Sequence, residues 1–173
     1  TRTRVATPNM EDVVVRGVSL ERNQAKVTLC GVPDRPGCAG LIFSAIAEMN
    51  LSVDMIVQNA SSTGRTDLSF TLHQGDFALA EKKLGPLVAE IGASGMTVAA
   101  HVAKLSVVGI GMRTHAGVAA RLFAALGAAG VNIQLISTSE IKIAVVLAEE
   151  DLERAAQSVH AAFGLARAKA PLA

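Results

Sequence analysis

Gly37-Cys-Ala-Gly-Leu-Ile-Phe43-Ser-Ala-Ile46 and Gly117-Val-Ala-Ala-Arg-Leu-Phe123-Ala-Ala-Leu126 decide the fold, because they are two versions of one pattern. Each opens on glycine and continues with apolar residues three and four apart, the stripe of a core-facing helix. Gly37 to Gly117 and Phe43 to Phe123 are both intervals of 80 residues. The same interval carries Val53-Asp54-Met55-Ile56 onto Ile133-Gln134-Leu135-Ile136. Upstream, Lys26-Val-Thr-Leu-Cys-Gly31 and Lys104-Leu-Ser-Val-Val-Gly109 are matching strand-like runs that end in glycine. A period near 80 is too long for a solenoid unit and suits a duplicated small domain.

Each copy reads as βαββαβ. In the first, residues 25–32 form a strand, 37–49 a helix, 53–58 and 66–72 strands, 76–90 a helix capped by Asp76, and 96–101 the last strand. The clusters Pro33-Asp34-Arg35-Pro36-Gly37 and Ser61-Ser-Thr-Gly64-Arg65 are turns. In the second, the strands are 105–110, 133–136 and 141–147, with a turn at Ser137–Glu140 and helices at 118–129 and 151–163. The second copy then lacks its final strand, while residues 13–19 form a spare strand at the front. The economical closure makes this spare strand complete the second sheet, so that the first copy is inserted in the second. The expected fold class is α+β: residues 23–102 form the first domain, 10–22 plus 103–165 the second, and 1–9 and 166–173 flexible ends.

Composition narrows the function. Half of the 173 residues are hydrophobic and 18% are charged, which supports a packed core rather than disorder. The net charge of +1 gives no electrostatic case for nucleic acid or an anionic membrane. RNA recognition on such a sheet needs exposed aromatics, and Trp and Tyr are absent. Cys30 and Cys38 make no CxxC pair or metal-spaced cluster, so no metal is expected, and buried free thiols in a reducing compartment are the plain reading. No apolar run reaches the length of a membrane span or a signal core, and a cytoplasmic location is expected.

Catalytic constellations are missing as well. The four histidines are dispersed, and no nucleophile–base arrangement can be assembled from them. Glu149-Glu150-Asp151 sits at a helix start, where acids favour the helix dipole. No phosphate-binding GxxxxGK[ST] loop occurs, and Gly109-Ile-Gly111 has Thr114 in place of a third glycine. Neither a catalytic site nor a cofactor is expected. The strand–helix loop of the first copy is more informative. Asp34-Arg-Pro-Gly37 places open backbone N–H groups at a helix N-terminus, which favour an α-carboxylate. Asp34 is a counter-ion for an α-ammonium, and Gln58-Asn59 offers amides to a polar side chain. A small zwitterion fits this set; an ordinary turn and cap is the competing reading.

The run Gly31-Val-x-Asp34-x-Pro36-Gly37 resembles an ACT domain, the amino-acid-binding regulatory module. Val53–Asn59, Thr66-Asp67-Leu68-Ser-Phe70-Thr, Gly109-x-Gly111-Met112-x-Thr114-His115 and Val131-Asn132-Ile133-Gln-Leu-Ile-Ser137-Thr138-Ser139-Glu140-Ile141 together resemble the regulatory region of aspartate kinase. The likeness runs from about Met10 to Phe163. It implies two tandem ferredoxin-like ACT domains, the first nested in the second, that bind L-threonine, and in many relatives L-lysine, as feedback inhibitors of ATP-dependent phosphorylation of L-aspartate. The kinase domain of the family lies N-terminal to this region, and some bacteria make the region as a separate subunit from an internal start, for which Met10 is suited. The resemblance further implies a homodimer in which the first copy of one chain meets the second copy of another, with the kinase as partner. A first effector site would use Asp34, Gly37, Cys38, Ala39, Gln58 and Ser61, with Asn132 and Ile133 from the second copy. A second would use Thr114, His115, Ala116, Gly117, Ala119, Ser139 and Glu140. Here Ala116 replaces a frequent proline and Ala119 a frequent threonine. A ligand-free dimerisation module is the alternative.

Overall fold

The computed structural model describes residues 15–109 and 116–165. Strand β1 spans Val15–Pro33, helix α1 Cys38–Glu48, β2 Val53–Gln58, β3 Arg65–His73, α2 Phe77–Glu90 and β4 Gly95–Gly109. There follow α3 at Ala116–Ala128, β5 at Leu135–Thr138, β6 at Lys142–Ala148 and α4 at Leu152–Ala162. The strands form one antiparallel sheet in the order β2-β3-β1-β4-β6-β5.

The sequence pattern breaks both central strands in two, but each runs through. Glu21-Arg-Asn-Gln24 interrupts the apolar alternation, yet β1 stays in the sheet by means of a bulge. Its register against β4 shifts between Glu21 and Gln24, and Asn23 takes φ 58°. Asparagine is among the few non-glycine residues that tolerate this left-handed region. Downstream of the bulge, β1 pairs with β3 and with the first half of β4; upstream, Val15–Glu21 lies against Lys104–Gly109. Each half of the sheet thus has four strands: β2, β3 and the first half of β4 around Gln24–Pro33, and β5, β6 and the second half of β4 beside Val15–Glu21.

Helices cover one face of this sheet. Val27, Leu29, Leu68, Phe70 and Leu72 pack under Ile42 and Ile46 of α1 and Leu84 of α2. Phe43 meets Phe70 edge to face, with ring centroids 5.9 Å apart. In the other half Leu105, Val107, Val145 and Leu147 pack under Leu122 and Leu126 of α3 and Leu152 and Val159 of α4. Burial of each such Leu, Ile, Val or Phe contributes about 1.5–3 kcal/mol. The intervening positions of the second half face the other way. There Val102, Ala144 and Val146 join Met55 of β2 and Leu135 of β5, so residues of both edge strands meet on the helix-free face.

The duplication extends to helix ends. Asn50, with φ 54°, and Gly130, with φ 68°, close α1 and α3 in the left-handed conformation, and Leu51 and Val131 donate back to Ile46 and Leu126. Two local expectations need correction. Asp76 makes no side-chain cap on α2; a 3-10 turn at Gln74–Asp76 precedes that helix, and His73 Nδ1 accepts from Gly75 N instead. Strand β5 begins at Leu135 rather than Ile133, because Ile133 turns in to pack against the second core. Residues 1–9, 13–14 and 166–173, on which the flexible ends and the start of the spare strand were expected, lie outside the described residues.

Candidate functional site

Asp34 leaves the end of β1 and enters a loop that the β2–β3 turn embraces. Asp34 N donates to Gly64 O at 3.0 Å, and Ser61 N donates to Asp34 Oδ2 at 2.9 Å. Ser61 Oγ accepts from Thr63 N at 3.0 Å and Arg65 N at 2.8 Å, so this hydroxyl organises its own turn. Arg65 Nη1 donates to the carbonyls of Gly31 and Gly92, 2.8 Å each, and Asp67 Oδ1 accepts from Gly31 N at 2.9 Å. These bonds lock the end of β1, the turn and the α2–β4 connection into one unit. Beside them Asn59, Ser61, Arg65 and Asp67 line an open cavity of about 310 Å³.

The first turn of α1 faces the same loop. Gly37 precedes it with φ 96° and supplies no side-chain cap, and Cys38 N closes the turn on Arg35 O at 3.5 Å, so the N–H groups left for an anion are those of Ala39 and Gly40. Cys38 is buried in the first core and Ala39 packs against that core, so Ala39 offers the loop its backbone rather than a side chain. Gln58 ends β2 with its side chain exposed. The hydrogen bond from Ser61 N brings Ser61 to Asp34, and Gly37 follows Asp34 by three residues, but no side-chain hydrogen bond among the described residues joins Gln58 to them. Asn132, which is exposed, and Ile133, packed on the second core, belong to the connection from α3 to β5, and no hydrogen bond among the described residues ties them to that loop within the chain.

In the second half, Ala116 and Gly117 open α3, and Ala119 lies half-buried against the second core. Ser139 Oγ accepts from Ile141 N at 3.4 Å and Lys142 N at 3.3 Å, in the same turn-organising role as Ser61. Glu140 is exposed at the tip of this turn. The turn is three residues long where the first-half turn has six, giving it a narrower rim. Thr114 and His115 lie outside the described residues.

A side-chain cluster that the sequence reading overlooked lies on the helix-free face. Lys104 is only 5% exposed; its Nζ bonds Asp54 of β2 and lies 3.0 Å from Glu21 Oε2 of β1. Burial alone would push this ammonium down, but the bonds to Asp54 and Glu21, with their charges, outweigh it and hold Lys104 above its ordinary value. The available signal was a lysine inside the apolar run Ala103–Val108, where an unpaired charge would be costly. Among the described residues no helix is long and apolar enough to cross a membrane.

Known proteins place this architecture. The ACT domain family model matches residues 27–85 and 105–163. An aspartate kinase of Pseudomonas fluorescens (strain SBW25) is 47% identical over 157 residues, covering 91% of this chain and 38% of its own length. The chain thus spans well under half of the curated relatives it matches. A crystal structure of aspartokinase alpha and beta subunits contains a chain 45% identical, with TM-score 0.82; the match covers 88% of this chain and 100% of that one. The regulatory subunit of aspartate kinase from Thermus flavus is 38% identical, with TM-score 0.81, covering 86% of this chain and 98% of its own. With two ACT repeats in one α+β fold and full-length likeness to a kinase regulatory subunit, the chain belongs to the ACT-domain family, as a regulatory region of the aspartokinase type.

Proposed function

We propose that this chain senses end-product amino acids for an aspartate kinase, binding L-threonine, with L-lysine as the second candidate, and feedback-inhibiting phosphorylation of L-aspartate. The observation that carries the reading is the loop in which Ser61 N bonds Asp34, three residues before the start of α1 at Gly37, which has no side-chain cap; the exposed Gln58 at the end of β2 would complete the site. A helix start for a carboxylate, a carboxylate for an ammonium and an amide for a hydroxyl suit a small zwitterion. Asp34 spends one oxygen on Ser61 N and retains the other for a ligand. Asn132 and Ile133 would reach this site from the second half of a partner copy, and Gly117, Ala119, Ser139 and Glu140 would form the second site, with Thr114, His115 and Ala116. The repeats are divided as 23–102 and as 10–22 plus 103–165; the pairing of Val15–Glu21 with β4 supports that nesting.

The effector would act by bridging two ACT surfaces and favouring the dimer that holds the kinase inactive. A coupling of about 1–3 kcal/mol gives roughly 5–150-fold inhibition. Gln58→Ala tests the site. Loss of one or two hydrogen bonds at about 1 kcal/mol each weakens threonine binding roughly 5–30-fold, with the melting temperature unchanged. Equal affinity in both proteins removes Gln58 from the site.

A second reading, a ligand-free dimerisation module, has its own support. Ile56 on edge strand β2 is 50% exposed and Ile136 on edge strand β5 is 44% exposed, at the same position of the repeat. Unpaired edges bearing apolar residues favour strand-to-strand association. The two readings divide on whether free threonine or lysine changes the dimerisation constant.

A further inference from the structure

We propose that Lys104 is a latch that pins edge strand β2 onto the second half of the sheet and so acts as a positioning residue for the effector-facing end of β2. The effector part of this statement rests on the function proposed above; the latch itself does not.

Strand β2 has a neighbour on one side only, β3, and its pairing is interrupted. The register shifts between Val53 and Ile56, and Met55 N donates to the Thr71 hydroxyl at 3.1 Å instead of to a ladder carbonyl. Such a bulge weakens pairing and re-aims side chains. Asp54 sits in it and reaches Lys104, a residue of the other half, 50 positions away. Beside this ion pair, Met55 is buried in the cluster that holds Val102 and Leu135. Charge and apolar contact therefore act at one place, where the β2–β3 ladder is interrupted. Lys104 is buried and its two carboxylates are about half exposed, so the lysine is fixed and the acids come to it.

The duplication makes the latch one-sided. In the repeat, Lys26 stands where Lys104 does and Gln134 where Asp54 does. A neutral glutamine forms no ion pair with a lysine, and among the described residues Lys26 has no ion pair. Among the described residues, β2, whose far end carries Gln58, is the one edge strand held in this way. A shift of the second half relative to the first is thereby delivered to the Gln58 end of β2.

Hydrogen exchange followed residue by residue tests this in the whole chain. Asp54→Asn keeps the shape of a half-exposed side chain and removes its charge. It should raise the exchange rates of the β2 amides about tenfold or more, leave those of α1, α3 and α4 within twofold, and weaken threonine binding. Asp54→Glu should restore a large part of the protection. Unchanged β2 exchange overturns the latch, as does an equal rise across both halves, which would mark a general loss of stability. Faster β2 exchange with unaltered threonine affinity overturns the positioning role. Wild-type protein that binds neither amino acid refutes the effector reading, while the exchange rates still decide the latch.

Discussion

A chain that begins at Asn23 loses the segment of β1 that borders the second half of the sheet. Six positions, Val15 and Gly17 to Glu21, are in register with β4. An antiparallel ladder of that length carries about six backbone hydrogen bonds, each worth about 0.5–1.5 kcal/mol net, or roughly 3–9 kcal/mol together. Val15 and Val18 also pack against the second core, and Lys104 loses Glu21. A small domain is stable by about 5–15 kcal/mol, so the loss is comparable to the whole. The first half keeps all four of its strands, because Gln24–Pro33 is untouched. Hydrogen exchange with scanning calorimetry is the suitable assay. Protection in α3 and α4 should collapse, while that in α1 and α2 stays within about an order of magnitude of wild type, and the melting transition should broaden or split. Equal loss of protection in both halves would refute the nested division, and an unchanged melting temperature would refute any structural role for Val15–Glu21.

Gly31→Ala should cost about 1–3 kcal/mol in denaturant unfolding, since φ is +60° and the new methyl group would collide with the Ser94 side chain; an unchanged midpoint would show that the clasp of Arg65 and Asp67 around Gly31 can relax. Lys104 has a folded-state pKa above its unfolded value of about 10.4, so its stabilisation is complete below that pH and is lost as pH rises through the folded value. As pH rises above that unfolded value, wild type should therefore lose more stability than Lys104→Met, and equal slopes would contradict the pairing with Asp54 and Glu21.

The duplicated fold was legible because the repeat is written in residues with fixed backbone or packing roles. Gly37 and Gly117 open helices, Phe43 and Phe123 repeat within them, and Asn50 and Gly130 end them. The continuity of β1 and β4 was not legible. Glu21-Arg-Asn-Gln24 looks like a loop in one dimension, and only the pairing with β4 makes it a bulge inside a strand. The turn Asp34–Gly37 and the helix start behind it could be read from the residues, since turn chemistry and helix-start electrostatics are local. That Ser61 and Asp34 bond each other depends on two loops meeting, which no spacing announces. Lys104 escaped notice for the same reason: it was visible as a charge in an apolar strand, but Asp54 lies 50 residues away and reaches it through a bulge that register alone reveals.

Calorimetric titration of the chain with L-threonine and then L-lysine tests the central claim most directly, and it suits a protein without Trp or Tyr. We expect saturable binding of threonine with a dissociation constant between about 1 μM and 1 mM, equivalent to roughly −8 to −4 kcal/mol. A folded, dimeric protein that gives no binding heat with either amino acid would contradict the sensor and leave a scaffold in its place.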